Sequence, residues 1–291
     1  MSRWPERRLA MLREMGVQHF WPTDDEADAV ADASPPAVQA VADAGEVRAA
    51  VSSSAPLTAP TPARARPAAA ATPTPAPAVK AVSTPVALGP RPVGVDTMDW
   101  PALREAVAGC QACGLCQGRQ QTVFGVGHPQ ARWMLVGEAP GEQEDRQGEP
   151  FVGRAGQLLD RMLTAVGLTR AEAPAEQQVY IANVIKCRPP GNRNPLPEEV
   201  AQCEPFLLRQ VQLVQPRLIL AMGRFAVQSL LRSAEPIGRL RGKVHDYHGV
   251  PLVVTYHPAY LLRNPADKAL VWDDLCLARE LVSRRPDPAA Q

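Results

Sequence analysis

The chain of 291 residues holds six cysteines, and their spacing is the first sign of chemistry. Cys110, Cys113 and Cys116 form a C-x2-C-x2-C run; Cys187 lies far downstream, and Cys203 follows it after 15 residues. Two neighbouring thiolates and two distant ones can complete the four-thiolate shell of zinc or of an iron–sulfur cluster. Spacing does not choose the metal. Nor does it say whether Cys116 is a ligand, with Cys187 or Cys203 left out. Cys276 falls among Leu275, Leu277 and Leu281 and reads as a core thiol.

A second concentration is GEAPGEQEDRQGEPFVGRAGQ, residues 137–157. Its glycines let backbone approach a ligand closely. A phosphate cradle is excluded. No GK[ST] is present, and Glu138, Glu142, Glu144, Asp145 and Glu149 would repel an anion. Phe151, one of five phenylalanines, sits here off any periodic face. It is either core or a platform for a planar ligand. Asn183 ends the run VYIAN, where its amide can cap a loop or read a base edge with one donor and one acceptor. His257 opens HPAYLLR, as a structural hydrogen-bonder or a catalytic one.

These residues need elements to hold them. WMLVG, QVYIANVI, RLILAMG and VPLVVTYHP are apolar runs of strand length. WPALREAVAGC, AGQLLDRMLTAVG, LPEEVAQCEPFLLRQVQLV, RFAVQSLL and ADKALVWDDLCLARELVSR carry helical spacing. Strands alternating with helices predict an α/β, three-layer fold with a central, mostly parallel sheet flanked by helices. Ligands of such sheets bind at the carboxyl ends of the strands. GEAPG, NVIKC, MGR and HPAYLLR all follow strands directly, so they should meet at one crevice.

The remainder is a long extension. No aromatic residue occurs between Trp21 and Trp100, and alanine, proline, serine and threonine dominate. Such a stretch cannot bury enough apolar surface to order itself. The expected organisation is a short helix over 1–22, a disordered Ala/Pro-rich linker over 23–95 and one catalytic domain over 96–286. The helix either docks on the domain or binds a protein partner. Net charge is +1, so no bulk basic signature of nucleic-acid binding exists. No signal peptide or membrane span is visible, which predicts a cytoplasmic protein.

Together GEAPGEQED, PFVGRAG, NVIKCRPPGNRNP and HPAYLLR resemble the signature segments of the family 4 uracil-DNA glycosylases. The resemblance spans about residues 97–285. It implies the uracil-DNA glycosylase-like fold and a [4Fe–4S] cluster on Cys110, Cys113, Cys187 and Cys203, without Cys116. It implies a monofunctional hydrolase that removes uracil from single- or double-stranded DNA, once the base has left the stack. Gly137, Glu138, Ala139, Pro140 and Gly141 would line the pocket, with Glu138 beside the attacking water. Other uracil glycosylases place an aspartate at a position of this loop where this chain has none. Phe151 would stack on uracil, Asn183 would read its edge and His257 would sit by O2. Glu142 is the loop's candidate wall against a thymine methyl.

DNA contact would come from Tyr260, Leu261, Leu262 and Arg263, wedged into the gap. Lys186, Arg188, Arg193, Arg239, Arg241 and Lys243 would grip phosphates. A monomer acting in bacterial cytoplasm or nucleoid is expected. The alternatives are a noncatalytic iron–sulfur nucleic-acid-binding protein, or a relative with another damaged-base specificity.

Overall fold

The computed structural model describes residues 88–284. The expected helix over 1–22 and the linker as far as residue 87 lie outside the described residues. Residues 88–95, assigned to the linker by composition, pack on the domain. Leu88 bridges Cys113, and Gly89 N donates to Ala112 O at 3.0 Å. Val95 is buried with Leu103, Val107, Phe124 and Phe206. One buried valine at the end of such a stretch has no period to reveal it.

Helix α1 (Trp100–Ala108) starts where Asp99 accepts from Ala102 N at 3.0 Å. Strands β1 (Val126–Gly127) and β2 (Trp133–Gly137) follow, then α2 (Glu142–Gln147) and α3 (Arg154–Ala165). Next come β3 (Tyr180–Asn183), α4 (Pro197–Val214), β4 (Leu218–Met222) and α5 (Arg224–Leu231). The chain continues through α6 (Ile237–Leu240), β5 (Val244–Tyr247), β6 (Val250–Thr255), α7 (Pro258–Arg263) and α8 (Lys268–Arg284).

Among the described residues, six strands form one sheet in the order β1-β3-β2-β4-β6-β5. The inner four, β3, β2, β4 and β6, are parallel. Both edge strands are antiparallel. The inner strands are buried on both faces, which is why they read as continuous apolar runs. Alternate side chains feed two cores. Leu135, Ile181, Leu220 and Val253 pack with Leu159, Met162, Trp272 and Leu275. Met134, Ala182, Ile219 and Val254 pack with Leu207, Val211, Ala226 and Val227.

The edge strands were not legible as runs. β1 has only two residues. β5 returns to β6 through His248 and Gly249, whose φ values are 51° and 83°. That pair of left-handed residues is the pattern of a tight hairpin turn. Cys276 is exposed on α8, not a core thiol as its apolar neighbours imply. Among the described residues, no helix is long and apolar enough to cross a membrane.

Candidate active site and cysteine site

Register brings the candidate residues together. Gly137 ends β2 and pairs across the ladder with Asn183, which ends β3. Met222 of β4 pairs with Thr255 of β6, so His257 follows at the same edge. An open cleft of about 590 Å³ lies there. Glu138, Ala139, Pro140, Gly141, Phe151, Asn183, His257, Tyr260 and Arg263 are among its lining residues. Three of the four strand-following segments line it, and Phe225 enters from the residue after the MGR segment.

Gly137 lies beneath the others. A Cβ there would sit 2.5 Å from Asn183 Oδ1 and 2.6 Å from Phe151 Cζ. Only glycine lets the amide and the ring close over the strand end. Phe151 itself has φ 56°, an uncommon conformation for a side-chain-bearing residue. Its turn rests on Gly156, where a Cβ would meet Phe151 O at 1.6 Å. The Phe151 ring stacks on His257 with centroids 5.3 Å apart and planes at 28°.

Asn183 is buried, and its Oδ1 has no hydrogen-bond partner. An unsatisfied buried acceptor facing a cleft is the signature of a ligand-binding atom. His257 caps α7 by accepting from Ala259 N through Nδ1 at 3.1 Å. Nδ1 is therefore unprotonated, and in the neutral ring Nε2 carries the hydrogen. Burial pushes the His257 pKa down to about 4, with Arg263 acting in the same sense and Glu144 against. The ring is thus a neutral donor near pH 7. Burial raises the Glu138 carboxyl to about 7, while Arg224 opposes the shift.

Sequence reasoning missed Glu144. Its Oε2 accepts from Gly141 N at 3.1 Å, and its Oε1 accepts from Val152 N at 3.0 Å and Gly153 N at 3.4 Å. One carboxylate ties the 138–141 turn to the 151–153 turn. A glycine N-cap followed by an acid at the third helical position was the available signal. Glu142 instead bonds Arg146 on the surface and is not among the cleft-lining residues.

A second cavity gathers five cysteines. Cys110, Cys113, Cys116, Cys187 and Cys203 line it with Val107, Leu115, Ile185 and Phe206. Cys110 lies close enough that its charge raises the pKa of Cys113, Cys187 and Cys203. Burial pushes the Cys187 thiol up to about 11 and the Cys203 thiol up to about 12. Arg119 Nη1 donates to Cys187 Sγ at 3.2 Å, and Lys186 N donates to Cys203 Sγ at 3.3 Å. Among the described residues, no group of three or more metal-ligating side chains is spaced for a single ion. A four-iron cluster takes one cysteine thiolate per iron. Donor type, apolar walls and N–H···S bonds fit such a cluster.

The family model of the uracil DNA glycosylase superfamily matches residues 124–276. A type-4 uracil-DNA glycosylase of Pyrobaculum aerophilum is 42% identical over 190 residues, covering 62% of this chain and 93% of that protein. The chain belongs to the uracil-DNA glycosylase superfamily. A type-4 enzyme of Thermotoga maritima is 41% identical over 184 residues, 62% of this chain and 93% of that protein. A type-5 uracil-DNA glycosylase of Thermus thermophilus is 35% identical over 155 residues, 46% of this chain and 68% of that protein. The match thus covers the cleft-lining elements described above, and this chain is a type-4 member.

Within this uracil-DNA glycosylase, two of the expected DNA contacts, Leu261 and Lys186, are buried. Leu261 is fully buried in the core under α7, so it cannot wedge into DNA; helix geometry turns it inward. Its neighbour Leu262 is 40% exposed. Tyr260 lines the cleft, with its hydroxyl donating to Asp267 Oδ2 at 2.6 Å and its ring stacked on Tyr256. Lys186 is buried and does not reach phosphate. Arg241 is held by Asp274 at 2.8 Å, and Arg193 is held by both carboxylate oxygens of Glu199. Arg188 bonds Asn192 at 2.7 Å. Arg239 and Lys243 face solvent.

Proposed function

We propose that this chain hydrolyses the N-glycosidic bond of uracil in single- or double-stranded DNA, leaving an abasic site. The unpartnered Oδ1 of Asn183, set beside Phe151 and His257, carries this reading. A flipped uracil offers N3–H and O4 to one amide, its ring face to Phe151 and O2 to His257 Nε2–H. Cytosine reverses donor and acceptor at the edge read by Asn183, leaving its amide mismatched.

The C1′–N1 bond breaks with its electron pair going to uracil. The sugar becomes cationic and uracil anionic. His257 Nε2–H and backbone N–H groups stabilise the anion in a cleft of low dielectric. Ionised Glu138 stabilises the cation and orients water, whose oxygen bonds to C1′ while its proton leaves through the carboxylate to solvent. Leu262 and Arg263 contact DNA beside the cleft.

Glu138 sets the pH dependence. It is protonated below about pH 7 and ionised above. His257 stays neutral down to about pH 4, so it adds no limb nearby. Excision should therefore rise with pH through about 7. A pH–rate profile of kcat/KM checks this, and Glu138→Gln should flatten the limb as well as lower the rate.

Cys110, Cys113, Cys187 and Cys203 would hold a [4Fe–4S] cluster, with Cys116 beside it. Excision transfers no electrons. The cluster supplies a cross-link between the segment before β2 and the segment after β3.

The domain acts as a monomer in the cytoplasm or nucleoid, and residues 1–22 recruit a protein partner through the linker. Deleting residues 1–87 should leave excision unchanged, whereas deletion through 95 should destabilise the domain by removing Val95 and the Leu88 bridge. Thermal melting and excision rates of both truncations check this.

Incubation with an oligonucleotide bearing one uracil, then alkali, tests the function. Strand cleavage at uracil is expected, with none at thymine or cytosine. An iron-replete protein that leaves the strand intact contradicts the proposal.

A further inference from the structure

Lys186 lies three residues beyond Asn183 and is 1% exposed. Its Nζ donates to the main-chain oxygen of Asn183 at 2.8 Å and to Gln210 Oε1 at 2.6 Å. Both acceptors are neutral. Gln210 is itself fixed, its Nε2 donating to Phe124 O at 2.9 Å and to the Tyr180 hydroxyl at 3.0 Å. A buried ammonium needs compensating charge. Burial lowers its pKa to about 8, and negative charge at Cys203 and Cys187 opposes that shift. Its own backbone N–H donates to Cys203 Sγ at 3.3 Å. One residue thus touches the cysteine site with its backbone and the carbonyl of Asn183 with its side chain.

We propose that Lys186 is a positioning residue that couples the four-cysteine site to the base-reading end of β3. Its ammonium holds the Asn183 carbonyl, and its backbone N–H holds Cys203 Sγ.

Two consequences follow from one contact. The Asn183 peptide fixes where the Asn183 amide points, and that amide closes on Phe151 over Gly137. A displacement of about 1 Å in a reacting geometry can cost on the order of a hundredfold in rate. In the other direction, a cation beside sulfur ligands stabilises the more negative, reduced state of a cluster. Lys186 therefore holds the midpoint potential up, although excision uses no electrons. The inference rests on the roles given above to Asn183 and the four cysteines.

Lys186→Met and Lys186→Gln keep length or polarity and remove the charge. Both variants are expected to retain iron at the wild-type ratio. Single-turnover excision should fall at least about tenfold, the effect of losing one hydrogen bond to a charged group. The KM for DNA should change little, because Lys186 does not reach the surface. The cluster's midpoint potential should move to a more negative value. A packing role alone would not move that potential. Iron-replete variants with wild-type excision, or with an unchanged potential, overturn the proposal.

If neither variant folds, lysine acetylation of the wild-type holoprotein decides. Lys186 should be protected with iron bound and reactive after iron removal. Acetylation in the holoprotein, or protection persisting without iron, overturns the proposal. Wild-type protein purified without iron yet fully active would instead sink the reading of the cysteines, so the two failures are distinct.

Discussion

Replacing His257 with alanine is expected to slow uracil excision by about 10²–10³-fold, the typical cost of removing one preorganised donor aimed at developing negative charge. The size of the effect follows from how tightly the ring is specified. Ala259 N occupies Nδ1 at 3.1 Å, so Nε2 presents the hydrogen. Burial holds the pKa near 4, so the donor is a neutral imidazole at working pH. Phe151 stacks on the ring and fixes its plane. No reorganisation is needed when charge appears on uracil. Single-turnover kinetics on a uracil oligonucleotide measures the loss. DNA binding should persist, because the substitution leaves every arginine and lysine in place. An unchanged chemical rate in His257→Ala would transfer the anion-stabilising role to backbone N–H groups alone.

Replacing Cys187 with alanine is expected to abolish iron retention and excision together. Metal-binding energy is folding energy where the site does not pre-exist in the unfolded chain. Loss of several kcal/mol should lower the melting midpoint by about 10 °C or more in a domain of this size. The damage should reach the cleft, because Cys187 is four residues from Asn183 and Arg193 on the cleft wall is held by Glu199 on the cysteine cavity. Cys116→Ala supplies the contrast. It lines the same cavity, yet iron content and melting midpoint should stay near wild type. Iron analysis and calorimetry of the two variants check this. Iron-free Cys116→Ala with iron-replete Cys187→Ala would reverse the assigned ligand set.

The sequence exposed the strands and the long helices because both are written in apolar periodicity. Leu135, Ile181, Leu220 and Val253 belong to runs buried on both faces, and the helices between them repeat every three or four residues. The convergence of Glu138, Asn183 and His257 was legible for the same reason, since each ends or follows a parallel strand. Directions of side chains within short elements were not. Leu261 and Leu262 are adjacent and chemically alike, and only the rotation of α7 sends one into the core and leaves the other exposed. Lys186 looked like a phosphate contact because charge predicts the surface. It is buried because Gln210, Asn183 O and the cysteines meet it there. Glu144 and Glu142 are likewise alike in sequence, and hydrogen bonds to Gly141 and Val152 separate them.

The most direct measurement is the release of free uracil from a uracil-containing oligonucleotide, comparing wild-type protein with Asn183→Ala at equal iron content. Wild type should release one uracil per abasic site formed. The variant should release it at least about a hundredfold more slowly, because the buried amide that reads the base is gone. No uracil from iron-replete wild type, or undiminished release by the variant, would contradict the account.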